Sequence, residues 1–141
     1  MPVKVKRVYE APAKTDGARI LVDRLWPRGL TKQGASIERW LRDIAPSNEL
    51  RHWFHANSTE WSSFRRRYLK ELGQPKAMGA LEALYEILGK YKVVTLLYAS
   101  RNEEHNNAVA LKELLDGRRK PPTGTGSGAY AQRRRSLKRA K

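Results

Sequence analysis

The chain has no cysteine. Disulfides, thiolate zinc sites and thiol nucleophiles are therefore excluded. Acidic residues are scarce: 14 Asp and Glu stand against 29 Lys and Arg, a formal net charge of +15. The deficit is uneven. Residues 118–141 hold nine Lys or Arg and no acid, which leaves residues 1–117 at only +6. A moderately basic folded part does not by itself argue for nucleic acid. Long apolar runs are missing as well. The longest is of strand length, so neither a membrane span nor a membrane partner is expected. The start, Met1-Pro2-Val3-Lys4-Val5-Lys6, lacks the apolar stretch of a secretory leader, and a cytoplasmic location is the expectation. His52, His55 and His105 do not fall at a metal-binding spacing with carboxylates, so neither a metal nor a cofactor is expected. There is no nucleotide P-loop, no Gly-x-Gly-x-x-Gly turn and no Gly-x-Ser-x-Gly elbow.

What is present is a chain of 141 residues, 40% apolar, with four tryptophans. That is enough for one domain with a core of its own. The domain is expected over residues 1–117. The remainder, 118–141, contains Pro-Pro, Gly-Thr-Gly-Ser-Gly and Arg133-Arg134-Arg135. Its apolar surface is too small to offset ordering entropy, so a disordered basic tail is expected.

Periodicity gives the order of elements. Residues 3–9 alternate apolar and basic side chains, as a strand near a sheet edge does. Ile20-Leu21-Val22 reads as a short buried strand. Ile37, Trp40, Leu41 and Ile44 recur at helical spacing after Ser36, which predicts a capped helix ended by Pro46. Ser47 caps a short helix with Leu50, Trp53 and Phe54. Ser58 or Thr59 caps the next, with Trp61, Phe64, Tyr68 and Leu72 on one stripe. A further helix runs from about Lys76 to Gly89. Val93 to Ala99 is almost wholly apolar, the mark of a strand covered on both faces in a parallel sheet. Asn102 is placed to cap a final helix that ends at Gly117. The expectation is a small α/β domain: three or four mostly parallel strands wrapped by about five helices.

Two strand ends carry the chemistry. In α/β sheets ligands bind beyond the carboxyl ends of strands. After the first such end comes Asp23-Arg24-Leu25-Trp26-Pro27-Arg28-Gly29. Arg24 and Arg28 suit a phosphate or carboxylate, and a desolvated Asp23 suits a base. The plain alternative is an internal Asp–Arg pair that fastens the loop. After the second end come Tyr98, Ser100, Arg101, His105, Asn106 and Asn107. Free amides at the start of the following helix would favour an anion there, with Arg101 and His105 beside them. Ser100 and Asn102 read more simply as turn and cap residues. Arg51 and His55, four apart, share a helix face and could join the site. Arg65-Arg66-Arg67 and Lys70 read as a solvated helix face or as phosphate contacts.

Several words of sequence taken together point to a family. They are Lys6-Arg7-Val8-Tyr9, Asp16-Gly17-x-Arg19, Leu21-Val22-Asp23-Arg24-Leu25-Trp26-Pro27-Arg28-Gly29, Leu50-Arg51-x-x-Phe54-His55, Phe64-Arg65-x-x-Tyr68 and Thr95-Leu96-Leu97-Tyr98-Ala99. Over residues 1–117 the chain resembles the YeaO-like branch of the DUF488 family, domain of unknown function 488. The resemblance implies a Rossmann-like fold related to rhodanese and tyrosine-phosphatase architecture. It also implies an anion cradle at Tyr98 to Asn107. Many members of the wider family carry Cys and His near Tyr98, Asn106 and Asn107; this chain departs from that pattern.

Two functional readings follow. The first is a site for a phosphate, nucleotide or phosphosugar, in a binding protein or an enzyme without a cysteine nucleophile. Arg24, Arg28, Arg51, Arg101 and Asn106 would hold the anion. Asp23, His55 and His105 would be acid–base groups, and Tyr98 a proton donor. The second is a non-enzymatic protein that binds nucleic acid non-specifically through the tail and the Arg65–Lys70 face.

Overall fold

The structure, a computed structural model, describes residues 3–117. The tail expected over residues 118–141 lies outside the described residues. Four strands form one parallel sheet: β1 (Val3–Arg7), β2 (Ala18–Leu21), β3 (Arg39–Trp40) and β4 (Val94–Tyr98), in the order β1-β4-β2-β3. β1 takes an edge, as its alternation predicts. β4 takes the centre with a parallel neighbour on each side, as its nearly all-apolar run predicts. Among the described residues four α-helices accompany the sheet, against about five expected: α1 (Asn48–Ala56), α2 (Trp61–Leu72), α3 (Pro75–Lys90) and α4 (Asn107–Gly117). Among the described residues, no helix is long and apolar enough to cross a membrane.

All four helices feed one core. Ile20, Val94, Leu96 and Tyr98 from the sheet meet Leu50 of α1, Phe64 and Tyr68 of α2, Leu84 of α3, and Leu111 of α4. The opposite face is covered differently. Leu21 and Leu97 point there and pack against Ala35 and Ile37 from the long β2–β3 connection. Irregular chain, not helix, closes this side.

That arrangement overturns the helix expected after Ser36. Glu38 N–H donates to the Arg19 carbonyl at 2.8 Å and Leu41 N–H to the Leu21 carbonyl at 2.9 Å, so this segment runs beside β2 as an edge strand. A 3₁₀ turn follows at Arg42–Ile44. The helical spacing of Ile37, Leu41 and Ile44 is real burial, but Ile37 faces the smaller core while Leu41 and Ile44 face the larger one. Pairing to an exposed sheet edge satisfies the same backbone groups that a helix would. The cap expected at Ser58 or Thr59 is corrected too. α2 starts at Trp61, and the residue before it, Glu60, makes no side-chain cap.

Under the irregular cover lies a polar knot. Asp16 is buried and binds Arg19 Nη1 at 2.7 Å, Lys6 Nζ at 3.1 Å and the Ala13 N–H at 3.0 Å. Arg19 Nε in turn donates to the Ala35 carbonyl at 2.8 Å. Burial works against the Asp16 carboxylate, but the donors of Ala13, Lys6 and Arg19 outweigh it and hold the carboxyl below its ordinary range. Gly17, next in sequence, has φ +65°, and a Cβ there would lie 2.1 Å from the Val93 carbonyl oxygen. Only glycine lets the chain turn into β2 this close to the start of β4.

Asp16→Ala strands a buried guanidinium, and urea denaturation should show about 3 kcal/mol less stability at neutral pH. In the native chain this contribution is present above the ordinary carboxylate range and is lost as pH falls through the lowered value. Convergence of the two proteins in acid checks the sign.

Candidate functional site

The two strand ends open into one cleft of about 710 Å³. Its walls come from the loop after β2, from α1 and from the loop between β4 and α4. Of the residues singled out in the sequence, Asp23, Arg24, Arg28, Arg51, His55, Arg101, His105 and Asn106 all line it. Tyr98 does not. It is 2% exposed and belongs to the larger core. Burial, then the nearby Glu103 and Glu10 carboxylates, push its hydroxyl pKa up, and the Arg7 charge and a hydrogen bond with Asn106 oppose them. Tyr98 thus supports the wall without facing the cleft.

Asp23 is the junction. Its Oδ2 accepts from the Ala99 N–H at 2.9 Å, and its Oδ1 accepts from the Asn107 side-chain amide at 3.0 Å. The same amide donates to the Val22 carbonyl at 3.0 Å. The Asp23 carbonyl accepts from the Trp40 indole at 2.7 Å. One residue therefore joins the end of β2, the end of β4, the start of α4 and β3. Burial raises its carboxyl pKa, while Asn107, Ala99 and the Arg51 charge hold the rise in check.

Arg24 is also committed. Its Nε donates to the Pro46 carbonyl and its Nη2 to the Ala45 carbonyl, each at 3.0 Å. It fastens the β2 loop to the chain entering α1. Ser47 caps α1 through the Leu50 N–H at 3.0 Å, and Glu71 of α2 grips Ser47 through both its N–H and its hydroxyl. α1 is thereby set so that Arg51 and His55 reach the cleft.

The loop after β4 differs from the helix start expected at Asn102. α4 begins five residues later, and His105 lies before it. Ser100 Oγ accepts from the Asn102 N–H, and Asn102 Oδ1 accepts from the N–H groups of Glu104 and His105, at 3.0–3.1 Å. Asn106 is the helix cap: its Oδ1 accepts from the Val109 N–H at 2.9 Å. Four backbone amides of this loop are thus taken up within the protein: Ala99 by Asp23, Asn102 by Ser100, and Glu104 and His105 by Asn102. Side-chain positive charge in the cleft comes from guanidinium groups. Arg28 and Arg101 are exposed and make no side-chain hydrogen bond or ion pair among the described residues. Among the described residues, Arg51 shares a hydrogen bond only with the His52 ring, at 3.3 Å. The His105 ring stacks on Trp61 with centroids 4.6 Å apart and 14° between planes. Among the described residues, no group of three or more His, Asp and Glu is placed to hold a metal ion.

The cationic face of α2 is partly occupied. Arg65 pairs with Glu113 at 3.1 Å, Arg66 donates to Ser63 Oγ at 3.3 Å, and the Arg67 guanidinium lies 4.1 Å from the centre of the Trp53 ring.

Comparison with known proteins places this frame. Residues 2–127 match the family model described as the inactive DUF488-N3 subclade. The chain belongs to the DUF488 family. The match runs past Gly117 into the segment read as tail. Curated DUF488 relatives include the uncharacterized protein YeaO of Escherichia coli, 42% identical over 115 residues, covering 82% of this chain and 97% of that one. The uncharacterized proteins Rv3073c of Mycobacterium tuberculosis and Mb3100c of Mycobacterium bovis are each 40% identical over 116 residues, covering 82% of this chain and 95% of theirs. No solved structure matches.

Sequence reasoning missed the apolar part of the wall: Tyr9, Leu25, Trp26 and Phe54 also line the cleft. The signal was Leu25-Trp26, a bulky apolar pair inside a charged turn.

Asp23→Ala leaves the Ala99 N–H without its acceptor and the Asn107 amide with the Val22 carbonyl alone, and should lower stability by about 2 kcal/mol. Asp23→Asn tests the titration. A raised carboxyl keeps its proton in the folded state after the unfolded chain has lost it. Stability of the native chain therefore falls as pH rises from the ordinary carboxylate range through the raised value. The Asn variant should lack that fall; equal slopes in denaturation series at stepped pH would remove Asp23 as its source.

Proposed function

We propose that this protein binds a small phosphate-bearing ligand in the cleft. The observation that carries the reading is the charge balance there. Four arginines and two histidines line the cleft against one carboxylate, Asp23, which is already engaged by two donors. Arg28, Arg51 and Arg101 are the ligand-facing cations, and Arg24 is the brace that positions their loops. Charge-assisted hydrogen bonds from guanidinium to phosphate are the strong and directional kind. The position beyond the carboxyl ends of β2 and β4 agrees with the general placement of ligands in parallel sheets. The location is that of a phosphate cradle of the rhodanese and phosphatase type, with four of the loop amides already bonded within the protein.

Binding accounts for the groups better than turnover does. Asp23 holds the strand ends together, His105 is stacked on Trp61, and His55 stands exposed at the end of α1. The family description, an inactive subclade, points the same way.

Calorimetric titration with pyrophosphate at low ionic strength tests the reading. Binding is expected in the full chain and, unchanged, in a chain ending at Gly117. Arg28→Ala and Arg101→Ala should each weaken it about tenfold or more, the worth of one hydrogen bond to a charged group. Loss of binding on truncation, with both arginine variants unaffected, would transfer the function to the tail and to nucleic-acid phosphates.

A further inference from the structure

The rim of the cleft is aromatic, and this narrows the ligand. Four large apolar side chains are markedly exposed among the described residues: Tyr9, Leu25, Trp26 and Tyr85. Three of them, Tyr9, Leu25 and Trp26, line this one cleft. Scattered exposed apolar residues need no explanation, but a cluster at a cleft mouth marks a contact surface. We infer that the ligand carries a flat ring beside its phosphate: a nucleoside monophosphate unit, free or at the 5′ end of a strand. The inference rests on the phosphate reading above.

The rings are held, not merely left outside. The Trp26 indole N–H donates to the Leu30 carbonyl at 2.7 Å. Its ring meets Trp40 edge-on, with centroids 5.3 Å apart and planes at 66°. Trp40 is itself tied to the Asp23 carbonyl. The Tyr9 hydroxyl donates to the Arg28 carbonyl at 3.0 Å, so this ring and the backbone of a ligand-facing arginine are coupled. The exposed Trp26 ring and the free Arg28 guanidinium line the same cleft, which offers one nucleotide a plane for its base and a cation for its phosphate. A sugar phosphate offers no plane to stack. A fixed ring also loses little freedom when a base docks on it.

The same geometry limits base reading. The Asn106 amide is spent on the Asn102 carbonyl, and the Asn107 amide on Val22 and Asp23. The asparagines therefore offer few donors for a base edge. Selection follows stacking area: purine above pyrimidine, with adenine and guanine alike.

The test titrates the full chain with AMP, GMP, UMP, ribose 5-phosphate and pyrophosphate. AMP and GMP should bind about tenfold more tightly than ribose 5-phosphate, the worth of one stacked base. Trp26→Ala should abolish that margin without weakening ribose 5-phosphate, and Trp26→Tyr should keep most of it. Arg28→Ala should weaken all five. Equal affinity for AMP and ribose 5-phosphate would overturn the ring while leaving the phosphate site. Failure of all five, pyrophosphate included, would overturn both. A 5′-phosphorylated dinucleotide separates the two sources. If it binds more tightly than AMP and loses this on dephosphorylation, the unit sits at a strand end; if more weakly, it is a free nucleotide. Either result supports the stacked unit.

Discussion

A single half-buried carboxylate holds the functional end of this protein in register. Parallel strands end without a shared turn, so β2 and β4 need something to bind their carboxyl ends together. Asp23 does this by accepting from the backbone after β4 and from the first residue of α4. Desolvation opposes the charge; two donors and the nearby Arg51 offset only part of that cost. The Asp23 carboxylate also takes the β4-end amide at which an external anion would otherwise dock. The exposed arginines of the cleft, Arg28, Arg51 and Arg101, stand farther out on three separate segments.

Much of this could be read in the residues, for physical reasons that differ by element. β4 was legible because burial on both faces leaves one polar position, Thr95, whose hydroxyl is spent on the Asp16 carbonyl. α1 was legible because Ser47 supplies a cap, and α2 because its aromatic stripe repeats at helical spacing. The segment around Ile37 was not legible as a strand. Its apolar residues serve two cores on opposite faces of a sheet, and that division mimics one side of a helix. The convergence of Asp23, Arg28 and Arg101 followed from placing ligands at strand ends. The bond to the Ala99 N–H did not, because nothing in a sequence says that an aspartate 76 residues away will reach it. Trp26 was passed over for a similar reason: its neighbour Trp40 lies on an element read as a helix.

The sheet is asymmetric in what covers it. The helices lie over the core that holds Ile20 and Leu96, while Leu21 and Leu97 are sealed by loop residues and underpinned by the Asp16–Arg19 pair. A loop can seal a core only if its polar groups find partners, and the Arg19 bond to the Ala35 carbonyl supplies one. The helical side leaves α1 free to lean over the strand ends.

The β2–β3 connection thus serves two masters. Ala35 and Ile37 near its far end plug a core, and Trp26 and Arg28 near its beginning line the cleft. An inserted or deleted residue between them would disturb both at once. Length should therefore drift little in this loop over evolutionary time, while the link at Gly73 and Gln74, which lines no part of the cleft, is the freer place to lengthen the chain.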